Sequence, residues 1–78
     1  MTDLVAQIFA TTLNLDPAGL TDETSPENTP QWDSLATLKL AVAIQDAYAI
    51  ELTASEIIAM RNIGLVRSLL REKGVPES

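Results

Sequence analysis

Neither histidine nor cysteine occurs in the 78 residues. Without cysteine there are no disulfides, no thiolate metal ligands and no thiol nucleophile. Without histidine, the usual base for a nucleophilic serine is missing. Positive charge is scarce too: five lysines and arginines stand against eleven acids, a net charge of −6. Nucleic-acid binding needs phosphate neutralisation, so this balance excludes it as an expectation. The longest apolar run, Leu40 to Ile44, is far too short to span a bilayer, and no membrane partner is expected. No basic and apolar leader opens the sequence, so a cytoplasmic location is expected. No EF-hand spacing or other regular set of oxygen ligands is present, and no metal site is expected.

What remains suits a small globular chain. Hydrophobic residues make up 46%, with four prolines and three glycines. One domain over residues 1–78 is expected, with a small core. Residues 3–13 read as a helix, because Leu4, Val5, Ile8, Phe9 and Thr12/Leu13 recur at helical spacing. Thr2 or Asp3 can cap it, and Asn14 with Asp16-Pro17 ends it. Residues 14–33 form a long connection broken by Pro17, Gly19, Pro26 and Pro30. Its large apolar residues are Leu15, Leu20 and Trp32, expected to pin it to the core. Trp32 is expected to pack at least partly, so that its truncation costs about 1–3 kcal/mol.

A second helix is expected from Asp33 or Ser34 to about Tyr48, with Asp33 as N-cap. Leu38, Ala41, Val42, Ile44/Gln45 and Tyr48 suggest a central helix, apolar over most of its circumference. Ala36, Thr37, Lys39, Ala43, Gln45 and Asp46 are its polar or exposed candidates. Thr53-Ala54-Ser55-Glu56 matches a capping box and opens a short third helix over about 54–61, carrying Ile57, Ile58 and Met60. Asn62 can cap a fourth helix to about Lys73, with Ile63, Val66, Leu69 and Leu70 on its apolar face. Gly74 stops it and Pro76 begins a tail. No period-two pattern survives. The expectation is all-α: a small four-helix bundle with a short third helix and a long loop between helices one and two.

Charge is segregated along the chain. Asp3, Asp16, Asp22, Glu23, Glu27 and Asp33 precede the first base, Lys39, while Arg61, Arg67, Arg71 and Lys73 lie near the end. Solubility with helix-dipole matching, or a docking surface for a basic partner, would each account for it. Asp22-Glu23 reads as a pair of solvated loop charges.

The segment Gln31-Trp32-Asp33-Ser34-Leu35 places a serine where the loop becomes an apolar helix. Lys39 lies off the face of Ser34 and cannot serve as its base. With no histidine, autonomous catalysis is not expected, so the chain reads as no enzyme. As an acceptor of a covalent group Ser34 is well placed, since first-turn amides and the helix dipole stabilise an attached phosphate.

Asp33-Ser34-Leu35 after a long proline-bearing loop, in an acidic chain of this size, resembles the acyl carrier protein family. The likeness runs over nearly the whole chain, and Ser25 to Leu35 is similar to stand-alone carriers of biosynthetic gene clusters. The resemblance implies that Ser34 receives a 4′-phosphopantetheine arm from coenzyme A, transferred by a separate phosphopantetheinyl transferase that uses a divalent metal. Asp33 and Leu35 would help present Ser34, besides acting as cap and as bundle packing. The arm's thiol would hold an acyl or aminoacyl group for loading and downstream biosynthetic enzymes, the carrier acting as a monomer. Fatty-acid carriers have a strongly acidic second helix; Lys39 departs from that and points to a dedicated pathway. The competing reading is an unmodified acidic helical module that binds a partner helix or groove.

Overall fold

A computed structural model of the chain describes residues 3–75. Its helices are α1 (Leu4–Leu13), α2 (Ser34–Tyr48), α3 (Ala54–Ile58) and α4 (Ile63–Glu72), with a 3₁₀ turn at Pro17–Gly19. Among the described residues there is no strand. The all-α bundle expected from the sequence is the fold observed.

Every α-helix begins on a side-chain cap. Asp3 Oδ1 accepts from the amide of Ala6, Asp33 Oδ1 from Ala36 and Asn62 Oδ1 from Leu65, at 3.2, 2.8 and 2.7 Å. At Thr53 the full capping box forms: Glu56 N donates to Thr53 Oγ1, and Thr53 N donates to Glu56 Oε1. Thr2 and Pro76 lie outside the described residues. The helix ends are equally defined. Gly74 takes φ +78°, and the amides of Gly74 and Val75 donate to Arg71 and Leu70 carbonyls, closing α4. α1 and α2 end the same way on Asn14 (φ 58°) and Ala49 (φ 54°). Asn tolerates that geometry; Ala49 carries its steric strain.

The core forms where three apolar stripes and one link residue meet: Val5, Ile8, Phe9 and Leu13 of α1, Leu40 and Ile44 of α2, Ile63, Val66 and Leu70 of α4, and Met60. α3 ends at Ile58, three residues short of the expected 61. Asn62 is fully extended (φ −163°, ψ 170°) to cap α4, and so breaks the chain between the two helices. Met60 is buried in this link, while Ile58, expected on an apolar face, points to solvent.

α2 departs most from its apolar pattern. Ala36, Leu40, Ala41 and Ile44 face the core. Leu38 and Val42, expected on the packed face, are exposed, and Ala36, expected outside, is buried. Leu35, Leu38 and Val42 are 61%, 56% and 57% exposed and follow i, i+3, i+7 spacing, one outward stripe. A bundle this small covers only one side of its central helix. Gln45 is structural: its amide nitrogen donates to the Ala41 carbonyl, and its Oε1 accepts from Leu52 N, tying α2 to the segment before α3.

The connection over residues 14–33 is well structured. Besides the 3₁₀ turn, Thr24 N, Asn28 N and Trp32 N donate three residues back, to the carbonyls of Thr21, Ser25 and Thr29. Thr24 Oγ1 accepts from Thr21 N, and Asn28 Oδ1 accepts from both Ser25 N and Thr29 Oγ1. Thr24 and Thr29 are buried. The connection also completes α4, because Ile63 N and Gly64 N donate to the carbonyls of Thr24 and Asp22. A Cβ on Gly64 would stand 3.2 Å from that Asp22 carbonyl, which explains glycine in the first turn of a helix.

The charge segregation resolves in large part into ion pairs between the early acids and the late bases. Arg67 grips both carboxylate oxygens of Asp3 (2.7 and 3.1 Å) and also Asp22 (2.9 Å), so Asp22 is no free solvated charge. Arg61 meets Glu27, and Lys73 meets Glu56.

Candidate functional site

Ser34 is the first residue of α2 and is exposed. Its position is set from the core outward. Trp32 is 1% exposed and meets Phe9 edge-on, ring centroids 5.0 Å apart. Its Nε1–H donates to Thr37 Oγ1 (2.9 Å), and the Thr37 hydroxyl donates to the Asp33 carbonyl (3.1 Å). Asp33 is thereby held from two sides: its carbonyl accepts from Thr37, and its carboxylate caps the Ala36 amide. Ser34 lies between these fixed points. Trp32 thus packs completely, beyond the partial burial expected of it. Thr37 is the residue that sequence reasoning passed over; its spacing of four from the cap and five from the tryptophan was the available signal.

Leu35 does not pack in the bundle. Its side chain stands in solvent beside Ser34, so the packing role expected for it is absent.

An open groove of about 590 Å³ runs past Ser34 between α2 and α3. Leu38, Ile57, Ile58 and Met60 give it apolar walls; Asp33, Thr37 and Arg61 give it polar ones. Arg61 is the one cation among its lining residues. It is engaged with Glu27 Oε1 at 2.7 Å, and this hydrogen bond holds the Glu27 carboxyl below its ordinary range. Lys39 lines a separate hollow with Leu38, Val42, Ala43 and Asp46. A second, more polar depression in the connection, around Thr21, Thr24 and Asn28, does not include Ser34.

This arrangement has no base, no metal cluster among the described residues and no enclosed cavity, but it offers a hydroxyl to an outside enzyme. The first-turn amides of Ser34 and Leu35 have no partner one turn earlier, so an attached phosphate would meet donors there. The groove's mixed walls suit a flexible arm with apolar and amide portions. The family model for the phosphopantetheine attachment site matches residues 3–70, most of the chain.

The chain belongs to this family.

Members carry 4′-phosphopantetheine covalently, so the protein is a phosphopantetheine carrier of the acyl carrier type. The carrier domains of the family are not themselves catalytic and work with biosynthetic enzymes. A comparison with curated proteins gives no match. The residues present fit the group: the carrier displays an exposed hydroxyl at a helix start, braced from below and open to a groove on one side.

Proposed function

We propose that Ser34 is the residue that accepts the arm, and that a separate phosphopantetheinyl transferase installs it. In that step a bond forms between Ser34 Oγ and phosphorus, the pyrophosphate bond of coenzyme A breaks, adenosine 3′,5′-bisphosphate leaves, and the hydroxyl proton passes to a base of the transferase. The observation that carries this reading is the exposed Ser34 hydroxyl at the first position of a capped helix, inside the family-matched segment. Asp33 and the Trp32–Thr37 brace hold that hydroxyl outward. When bound, the arm supplies a thiol that holds an acyl or aminoacyl group as a thioester, chemistry this cysteine-free chain cannot supply itself.

The outward stripe of Leu35, Leu38 and Val42 supports docking to enzymes through an apolar depression, one enzyme at a time and with the carrier as a monomer. Lys39 and Asp46 flank the stripe with opposite charges, so steering by uniform negative charge is weak here. That fits a dedicated pathway with its own loading enzyme better than a general fatty-acid synthase.

Incubation with a transferase and coenzyme A, followed by intact-mass analysis and peptide mapping, tests the assignment. The expected result is one phosphopantetheine on Ser34 and none on the Ser34→Ala protein, which stays folded because that exposed side chain packs against nothing. Modification that persists at Ser25 or Ser55 would overturn it.

A further inference from the structure

The geometry points to Arg61 as the residue that meets the phosphodiester of the arm, leaving Glu27 to do so. This inference rests on Ser34 being the attachment site. Arg61 and Ser34 line the same groove, and the groove has no second cation. The phosphodiester would bring a negative charge to a position whose chain neighbour is the Asp33 carboxylate. A guanidinium across the groove offsets that repulsion, and its planar fork matches phosphate oxygens as well as it matches carboxylate oxygens.

The partner Arg61 would leave is a weak one. Both side chains of the pair are largely open to solvent, 63% for Arg61 and 61% for Glu27. Exposed pairs of this kind are marginal, so exchanging one anion for another costs little. The Arg61 backbone, by contrast, is fixed: its amide donates to the Ala59 carbonyl at 2.8 Å, and the next residue, Asn62, caps α4. Only the side chain has to turn. Glu27 belongs to the connection, in the turn that Ser25 and Asn28 close. Release of Glu27 removes one tie between that turn and the α3–α4 link, so attachment at Ser34 reaches the surface of the connection. Arg67 cannot take this role, because Asp3 and Asp22 hold it away from the groove.

Phosphorus and carbon NMR on the modified protein test the exchange. Arg61→Gln should move the phosphodiester resonance by more than its linewidth. Arg61→Lys should return it most of the way, and Lys39→Gln, outside the groove's lining, should leave it in place. The Glu27 carboxyl resonance should move on modification of the wild-type protein and titrate closer to an ordinary glutamate. A phosphorus resonance indifferent to Arg61→Gln, or a Glu27 resonance indifferent to modification, overturns the inference while Ser34 stands. Intact mass on the same samples separates the two failures: a wild-type protein that gains no arm at Ser34 overturns the attachment assignment and this inference together.

Discussion

Trp32 and Leu38 line the same groove, one at the end of the connection and one on α2, and they experience opposite surroundings. The tryptophan is enclosed by Phe9 and bonded to Thr37; the leucine stands largely in solvent. The difference reflects what each segment can reach. The connection passes over the open end of the bundle and finds apolar stripes and unsatisfied α4 amides to cover. The outer side of α2 meets only the open groove beside α3, since α1 and α4 lie elsewhere around it. Burial follows geometry here more than composition. Under the proposed function, rigidity under the serine would present the hydroxyl and the apolar exposure beside it would meet enzymes.

The strongest way to break the comparison is to truncate Trp32. Complete burial raises the expected cost of Trp32→Ala to about 3–5 kcal/mol, above what partial packing would give. Chemical denaturation checks this, and the rate of modification at Ser34 should fall in the same variant. A loss near 1 kcal/mol would mean that the connection is held by its hydrogen bonds and ion pairs instead.

Acidification separates those contributions. Hydrogen bonding to Arg67 lowers the Asp3 pKa from its ordinary 3.8, and hydrogen bonds to Arg61 and Lys73 lower those of Glu27 and Glu56 from 4.5. Carboxylates with a lowered folded-state pKa stabilise the fold fully above the unfolded value, and this contribution is lost as pH falls through the folded one. The denaturation midpoint should therefore drop as pH falls below about 4.5. Arg67→Gln should lower stability at pH 7 by about 1–2 kcal/mol, since Arg67 is part-buried and bonds Asp3 through two nitrogens. It should also flatten the acid dependence. An unchanged pH profile in that variant would remove the Asp3 and Asp22 contacts as ties between the chain's ends.

The smallest effect on stability is expected on the other side of the comparison. Leu38→Ala and Val42→Ala should each change stability by no more than about 0.5 kcal/mol, because the side chains are already in water. Both should weaken the interaction with a cognate loading enzyme, roughly tenfold for a side chain that fills an apolar depression. Lys39→Glu should change the salt dependence of that interaction more than its strength. Loss of stability comparable to that of Trp32→Ala would show that the stripe packs within the carrier and is no docking face.

Much of this was written locally in the sequence. The caps at Asp3, Asp33, Thr53 and Asn62, the stop at Gly74 and the 3.6-residue spacing in α1 and α4 each depend on residues within one or two turns. They therefore fixed the number, order and approximate ends of the helices, and Asp33-Ser34-Leu35 marked the candidate site. Tertiary structure decided which side of α2 is covered, why α3 stops at Ile58, and that Arg61, Arg67 and Lys73 belong to Glu27, Asp3 with Asp22, and Glu56. It also placed Arg61 in the groove with Ser34. Those outcomes depend on contacts between residues far apart in the chain. A helix such as α2, apolar over most of its circumference, has several faces that could pack, and only the arrival of its neighbours selects one.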